Sequence, residues 1–261
     1  MKTIISKDGT PIAFQRAGNG PAVILVDGAL CCRASGPLAE LLATNFTVFT
    51  YDRRGRGDSG DTAPYSVERE VEDIEALVNE AGGSAFVYGT SSGAALALEA
   101  ANRGLAIRKL ALYEAPLMVD DSRCPIPENQ LARLNDLLSA DRRADAVKLF
   151  LHLVGVPAIF VALMRLMPVW SKLTAVAHTL THDIIILQDT RRDTSLPAGR
   201  WAAITAPTLV VDGGRSPASM RHAMRALASV LPNANLRTLK GQTHIVKPQV
   251  LAPALAEFFA S

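Results

Sequence analysis

The chain has 261 residues, of which 49% are hydrophobic and 20% are charged, and its formal net charge is +2. This size suits one α/β domain with an insertion, and the small net charge argues against nucleic acid or a membrane surface as a partner. Its three cysteines give no disulfide framework, and the segment MKTIISKDGT has no apolar signal-peptide core, so we expect a cytoplasmic protein.

The first part of the chain alternates between short apolar runs and amphipathic segments. Strands are predicted at 2–6, 12–16, 22–26, 46–51, 85–88 and 110–113, the first two joined by a turn at Asp8 and Gly9. Helices are predicted at 37–42 and 66–80, and from the end of the strand at 85–88 to about residue 104. This alternation predicts a doubly wound, mostly parallel sheet of the α/β class.

From about residue 117 to residue 203 the alternation stops and helical segments follow one another. They are predicted at 128–139, 142–153, 158–167 and 169–182. We therefore predict a helical lid at 117–203, inserted between two strands of a core formed by 1–116 and 204–261. Strands at 208–211 and 236–239 resume the α/β pattern, with a helix near 220–231 and a last helix that ends at residue 259.

One part of this lid, residues 150–167, is apolar enough to suggest a membrane helix. It contains His152, Pro157 and Arg165, however, and it has no clean apolar run of about 20 residues, the length that a bilayer needs. We expect a buried or pocket-facing pair of helices instead, and no membrane partner.

The segment AFVYGTSSGAALALEA, at 85–100, has the order strand, G-x-S-x-G, helix that forms a nucleophile elbow. Glycine at 89 and 93 removes the side chains that would collide in so sharp a turn, and it leaves the Ser91 hydroxyl exposed above the sheet. The alternative interpretation is a structural glycine-rich turn. We predict Ser91 as a nucleophile because a strand and a helix flank the motif on the expected sides.

Ser91 needs a general base, and in an elbow of this kind the chain order is serine, then acid, then histidine. His244 is the only histidine in a loop directly after a late strand, so we predict it as the base. The negative charge that forms during attack needs hydrogen-bond donors. We expect an oxyanion hole formed by the backbone N–H groups of Ser92 and of the turn at Gly28 and Ala29.

The acid that should orient the histidine is missing from its usual place. In this architecture it commonly ends a G-x-x-D segment after the strand at 208–211, and this chain has Ser216 there. Two carboxylates remain, since Glu114 ends the strand after the elbow helix and Asp212 ends the strand at 208–211. Either could hold the His244 imidazole in the right tautomer. We predict Glu114, which stands in the crevice where open α/β sheets place their sites, and keep Asp212 as the alternative.

Three other motifs indicate structure rather than chemistry. The run GRGDSG at 55–60 matches G-x-G-x-x-G, but residues 61–64 separate it from any helix, so we interpret it as a sharp turn rich in local ion pairs. His178 and His182 have i, i+4 spacing without an evident third ligand, and Cys31 with Cys32 suggests a packed loop. We therefore expect no cofactor and no metal.

Several stretches of the sequence resemble the α/β-hydrolase superfamily, and together they span nearly all of the chain. They are VILVDGAL (23–30), FTVFTYDRRGRGDSG (46–60), VYGTSSGAALALEAA (87–101), APTLVVDGG (206–214) and GQTH (241–244). The serine-nucleophile branch of zearalenone-type lactonases has a similar Asp-Gly turn, where His-Gly is more usual, and a carboxylate in a motif similar to LYEAP (112–116). The resemblance implies the triad Ser91, Glu114 and His244, with residues near 117–203 as the lid.

These features predict a serine hydrolase that cleaves a neutral, fairly apolar carboxylic ester or lactone through an acyl-enzyme. Apolar lid residues, among them Phe160, Met164 and Trp170, are the predicted substrate contacts. Two alternatives stay open. One is an acyltransferase or cofactor-free haloperoxidase-type enzyme with the same machinery, and the other is a non-catalytic small-molecule binder, which the serine at 216 would suit.

Overall fold

The computed structural model describes residues 1–33, 36–119, 128–188, 196 and 199–261. Within these residues, eight strands form one sheet. In chain order they are β1 (Lys2–Ile5), β2 (Pro11–Ala17), β3 (Ala22–Val26), β4 (Thr47–Tyr51), β5 (Ala85–Thr90), β6 (Ile107–Tyr113), β7 (Thr208–Gly213) and β8 (Ala234–Leu239). Their order across the sheet is β1-β2-β4-β3-β5-β6-β7-β8.

The sheet is mixed but mostly parallel. β1 and β2 form an antiparallel hairpin, and β2 is antiparallel to β4. From β4 through β3, β5, β6 and β7 to β8, all neighbouring strands are parallel. The hairpin turn contains Gly9 with a φ of 87°, a conformation that glycine adopts without strain. The predicted fold class, a doubly wound and mostly parallel α/β sheet, is confirmed.

Helices cover both faces of this sheet. They are α1 (Gly36–Leu42), α2 (Val67–Glu80), α3 (Ser92–Asn102), α4 (Glu128–Ser139), α5 (Arg143–Leu153), α6 (Ala158–Met164), α7 (Val169–Ala175), α8 (Leu180–Gln188), α9 (Ala218–Val230) and α10 (Pro248–Ala260). Apolar side chains alternate along the strands, so one set packs against α2, α3 and α9 and the other against α1 and α10.

The helices α4 to α8 lie between β6 and β7, which confirms the helical insertion. They form an apolar cluster of their own, which also includes Leu30 from the loop after β3. The predicted limits of the insertion, residues 117 and 203, stay predictions. Within the described part of the chain no single helix is long and apolar enough to cross a membrane, and α6 with α7 meets that test only as a pair bent by 97°.

The end of the helical insertion differs from the predicted single helix at 169–182. α7 ends at Ala175, a 3-10 helix follows at Ala177–Thr179, and α8 begins only after it. The Thr179 hydroxyl accepts a hydrogen bond from Arg56 Nε at 3.1 Å and donates one to Val176 O at 2.9 Å. The chain leaves the α-helix here because a tertiary contact with the core overrides local helix propensity.

Two glycines of the elbow lie where a side chain has no room. A Cβ atom at Gly93 would stand 2.3 Å from Val26 O and 2.5 Å from Asp27 O, and one at Gly89 would stand 2.5 Å from Gly93 O. Glycine at 93 therefore lets the elbow pack closely against the end of β3 and the loop after it, and glycine at 89 lets β5 pack against the first turn of α3.

We expect Gly93→Ala to lower the free energy of unfolding by about 2 kcal/mol or more, because the new methyl group must push backbone atoms apart. The matched control is Gly36→Ala at the start of α1, where a Cβ atom would meet nothing within 4 Å. That change should be neutral or stabilising by up to about 1 kcal/mol, since alanine restricts the unfolded chain. Urea unfolding followed by circular dichroism measures both, and equal midpoints for the two variants would contradict the prediction.

Candidate active site

Ser91 lies at the sharp turn between β5 and α3, as the elbow pattern predicts. Its φ and ψ angles are 54° and −127°, a conformation that a non-glycine residue keeps only when its surroundings enforce it. The Ser91 N–H donates to Tyr113 O at 2.9 Å, so the turn is tied to the end of β6. A Cβ atom at Gly28 would stand 2.9 Å from Ser91 Cβ, so the Gly28 turn packs directly against the serine side chain.

Glu114 follows the last residue of β6, and its side chain is fully buried. Oε2 lies 2.8 Å from His244 Nδ1, and Oε1 accepts a hydrogen bond from the Gly213 N–H at 2.7 Å. The backbone of Glu114 has a φ of 46°, a left-handed conformation that is uncommon outside glycine. The two carboxylate oxygens therefore each have a partner, and these partners hold the group in one position.

His244 lies in the loop between β8 and α10, where its side chain is 42% exposed. The Tyr113 hydroxyl donates to the preceding carbonyl, Thr243 O, at 2.5 Å and so anchors the loop to β6. With Nδ1 turned to Glu114, the other ring nitrogen, Nε2, is left to exchange a proton with a ligand or a nucleophile. The structure thus brings Glu114 and His244 together at the sheet edge that carries Ser91.

The environment of Glu114 favours its charged form. Burial alone raises the pKa of this carboxyl, because a charge is costly to hold away from water. The His244 ring, the Ser216 hydroxyl and the Gly213 N–H act in the other direction, and the net pKa lies below its ordinary value. Glu114 is therefore ionised at neutral pH.

Asp212, the alternative acid, is not brought to His244. Its side chain is buried, and within the described residues neither carboxylate oxygen has a hydrogen-bond partner. Asp212 still belongs to β7, in register with Thr238, whereas Glu114 has already left its strand. Of the two predicted carboxylates, Glu114 is the one that contacts the predicted base.

The charged residues in and just before the glycine-rich segment 55–60 make long-range ion pairs, and not the local ones that the sequence predicts. Arg53 binds Glu70 through two hydrogen bonds of 2.6 and 3.2 Å, and Arg54 binds Asp73 through two of 2.7 and 2.8 Å. All four side chains are buried. The segment is therefore a turn built around interior charges, and since α2 begins only at Val67, no helix opens at its glycines.

A third arginine, Arg56, reaches the predicted oxyanion turn and the lid at once. It donates to Gly28 O at 2.7 Å and to Asp183 Oδ2 at 2.7 Å, 127 residues away in sequence. Sequence reasoning missed Asp183 as a part of this region. The available signal was the group of three arginines within residues 53–56, close after an apolar strand, because arginines buried there require carboxylate partners from elsewhere.

The predicted substrate contacts occupy different parts of the lid. Phe160 is 57% exposed, whereas Met164 and Trp170 are partly buried against the lid's own apolar cluster. Their role in binding stays a prediction. His182 stacks on the Tyr65 ring with the centroids 3.8 Å apart, and among the described residues no group of three His, Cys, Asp or Glu side chains is placed to hold a metal ion.

The order of the strands and the helical insertion between β6 and β7 are those of the α/β-hydrolase fold. The sequence model of the Alpha/beta hydrolase family matches residues 27–254, a range that includes Ser91, Glu114 and His244. The chain belongs to this family.

Its relatives include proteins with and without an assigned activity. An α/β hydrolase from Sphaerobacter thermophilus DSM 20745 is 54% identical over 99% of this chain and 100% of that one, with a TM-score of 0.93. The enol-lactonase from Burkholderia xenovorans LB400 covers 100% of both chains with a TM-score of 0.73, but at 21% identity it shows likeness of fold alone. The uncharacterized hydrolase YraK from Bacillus subtilis (strain 168) is 35% identical over 101 residues, so the chain spans 35% of that protein's length.

We expect Glu114→Gln to lower the free energy of unfolding at pH 7 by about 1–3 kcal/mol, because an amide can accept only one of the two hydrogen bonds. Since the folded-state pKa of Glu114 lies below its ordinary value of 4.5, the carboxylate's contribution is complete above that pH. It is lost as the pH falls through the lowered folded-state pKa. Urea unfolding between pH 7 and pH 3 should therefore show the two proteins converging in stability below about pH 4.5.

The control for this pH series is Glu257→Gln, which changes an exposed carboxylate that pairs with Arg237 on the surface. This variant should match wild type within about 0.5 kcal/mol across the series. A Glu114→Gln deficit that stays constant or grows below pH 4.5 would contradict the prediction.

Proposed function

We propose that the protein is a serine hydrolase that cleaves a neutral, fairly apolar carboxylic ester or lactone through an acyl-enzyme. The observation that carries this proposal is the 2.8 Å contact between Glu114 Oε2 and His244 Nδ1, at the sheet edge where Ser91 occupies a nucleophile elbow. A buried carboxylate on one ring nitrogen lets a histidine act as a base through the other. Membership of the α/β hydrolase family supports hydrolysis as the reaction.

In the proposed first half of the reaction, Ser91 Oγ attacks the substrate carbonyl carbon while His244 Nε2 takes the hydroxyl proton. Glu114 keeps the ring in the required tautomer and stabilises the imidazolium that forms. The carbonyl oxygen becomes an oxyanion, which accepts hydrogen bonds from the N–H groups of Ser92 and Ala29. The C–O bond to the alcohol then breaks, and the imidazolium gives its proton to the departing alkoxide.

The second half of the reaction repeats these steps with water. His244 takes a proton from a water molecule, which attacks the acyl-enzyme and forms a second tetrahedral oxyanion in the same hole. Collapse releases the carboxylic acid, and the proton returns from His244 to Ser91 Oγ. With a lactone the alcohol stays attached to the acyl group, so one hydroxy acid leaves instead of two products. Ser92 suits the donor role because the first N–H of a helix has no acceptor within that helix.

The side chains of the lid favour a substrate that is apolar and uncharged. Around α6 and the bend before α7, large apolar side chains are more than half exposed, namely Ile159, Phe160, Leu163, Leu166 and Met167. In the segment 154–175 the charged residues are Arg165 and Lys172, so no cluster of cations is available there for a phosphate or a carboxylate. The shared fold of the enol-lactonase makes a lactone a natural class to test beside acyclic esters.

The hypothesis of a non-catalytic binder no longer has the observation on which it was based. That alternative rested on Ser216 in place of the usual acid, whereas a buried Glu114 carboxylate contacts His244 from a neighbouring strand. Acyl transfer and haloperoxidase-type chemistry would use the same residues with another acceptor in place of water. A measurement of the products from an ester in water separates them from hydrolysis.

We expect a fluorophosphonate probe to add once, to Ser91, and Ser91→Ala to abolish the adduct without unfolding the chain. Glu114→Gln should slow both labelling and ester hydrolysis by roughly 10²–10⁴-fold, because the histidine loses its orienting carboxylate. Asp212→Asn, the matched carboxylate-to-amide change on the next strand, should slow them by less than about tenfold. Intact mass with peptide mapping measures the adduct, and hydrolysis of p-nitrophenyl esters measures turnover.

The opposite ranking of the two amide variants would assign the acid to Asp212. Full ester turnover in Ser91→Ala would reject the elbow serine as the nucleophile. A folded wild-type protein that takes no probe would favour the non-catalytic binder.

The place of the missing acid offers a rescue experiment. In the Glu114→Gln background, Ser216→Asp puts a carboxylate beside the lost one and should restore ester turnover at least about tenfold. In the wild-type background the same change places two carboxylates together, which raises the pKa of Glu114 and should lower turnover at neutral pH. The control is Ser216→Asn, which has the same shape without the charge, and equal turnover in the two double variants would show that position 216 cannot supply the acid.

A further inference from the structure

Asp183, on the lid helix α8, is a buried carboxylate that the proposed reaction does not use. It is 1% exposed, and both of its oxygens are occupied. Oδ1 accepts hydrogen bonds from Arg53 Nη1 and from Ser92 Oγ, each at 2.7 Å, and Oδ2 accepts one from Arg56 Nη2 at 2.7 Å. Asp183 thereby joins the residue after the nucleophile to two arginines of the glycine-rich turn.

Arg56 holds the other half of the predicted oxyanion hole. Its Nη1 donates to Gly28 O at 2.7 Å. The carbonyl of Gly28 and the N–H of Ala29 belong to one planar trans peptide, so they point in opposite directions. With the carbonyl bound to the arginine, the Ala29 N–H must point away from it. Because Gly28 packs against Ser91, Arg56 sets the direction of this donor beside the nucleophile.

The charges around Asp183 are balanced within the interior. Arg53 also binds Glu70, so two guanidinium groups face two carboxylates. Burial raises the pKa of Asp183, but Arg56, Arg53 and the Ser92 hydroxyl hold it below its ordinary value. Asp183 is therefore ionised at neutral pH. A neutral side chain at position 183 would remove the carboxylate that Arg53 and Arg56 share. The groups that these arginines bind would then be less firmly oriented.

We propose that Asp183 is a positioning residue of the active site, which aligns both arms of the oxyanion hole through Ser92 and Arg56. The inference rests on the proposed function of Ser91 and its oxyanion donors. Asp183 does not touch the substrate, and its effect passes through the side chains it binds. As it belongs to α8, it is also the lid's own contribution to the catalytic centre, so the hole is complete only when this helix is docked on the core.

The test compares two equally buried aspartates that bind arginines of the same turn. Asp183→Asn removes the carboxylate that binds the groups of the predicted oxyanion hole. Asp73→Asn removes a carboxylate that binds Arg54. The other partners of Arg54 are Asp8 and Arg69 O, which are not part of that hole. Both changes should lower the urea midpoint. The informative measurements are kcat and KM for a p-nitrophenyl ester, and the inhibition constant of phenylboronic acid, whose tetrahedral serine adduct places an oxygen in the hole.

For Asp183→Asn we expect kcat to fall by about tenfold or more and the phenylboronic acid inhibition constant to rise by a similar factor. KM should change by less than about threefold, because a misaligned oxyanion hole stabilises the transition state less but leaves the binding of the ester unchanged. Asp73→Asn should keep all three values near those of wild type. Equal changes in the two variants would show a merely structural role and overturn the inference.

A second variant covers the case in which Asp183→Asn does not fold. Ser92→Ala removes a single hydrogen bond to Asp183 and keeps the Ser92 backbone N–H. It should lower kcat and weaken phenylboronic acid binding in the same pattern, and wild-type values in this variant would overturn the inference. Where Asp183→Asn does fold, the double variant should lose less than the product of the two single losses, since both act on one contact.

The same experiments separate this inference from the proposed function. A wild-type protein that neither hydrolyses the ester nor binds phenylboronic acid overturns the proposed function and this inference with it. A wild-type protein that does both, with Asp183→Asn and Ser92→Ala indistinguishable from Asp73→Asn, leaves the hydrolase intact and rejects Asp183 alone.

Discussion

The parallel register of β5, β6 and β7 determines where the chemical groups lie. The last residues of β5 and β6 are paired with each other, and the end of β6 is paired with Val211 of β7. The next residues, Ser91, Glu114 and Asp212, therefore stand in a row at the carboxyl ends of adjacent strands. The N–H groups of Ser91 and Glu114 extend the hydrogen-bond ladder by one more bond each. Open α/β sheets place ligands at this edge, and here the ladder itself spaces the side chains.

Position at the end of a strand does not decide whether Glu114 or Asp212 contacts the histidine. The backbone conformation of each residue decides it. Asp212 remains a strand residue within β7, while Glu114 turns out of its strand with a φ of 46°. Ser91 has a φ of 54°, so two non-glycine residues of the site are held in uncommon conformations, at a cost of order 1–3 kcal/mol each. The strained backbone lies where the orientation of a side chain matters most. The hydrogen bonds with the Gly213 N–H and the His244 ring fix the orientation of the Glu114 carboxylate.

Local patterns in the sequence are enough to predict the strands, the elbow and the insertion. An apolar run is a property of adjacent residues, and the clash that demands glycine at 89 and 93 is also local, so both can be recognised without a structure. The partners of Arg53 and Arg56 cannot be recognised from local patterns. Asp183 lies 130 and 127 residues away from them, on α8. This helix was not predicted, because the predicted helix at 169–182 ends before Asp183.

A buried ion network of this kind is weak support for stability, because the cost of desolvating charges roughly offsets their attraction. Its better-founded effect is geometric, since guanidinium and carboxylate groups accept only a few mutual arrangements. Here the constrained arrangement includes Gly28 O and the Ser92 hydroxyl, one on each side of the nucleophile. Asp183 supplies the shared carboxylate from α8. On the proposal that Asp183 aligns the oxyanion donors, docking of α8 on the core and alignment of those donors would be one equilibrium. A change in the lid that loosens α8 would then affect turnover even where it touches no substrate.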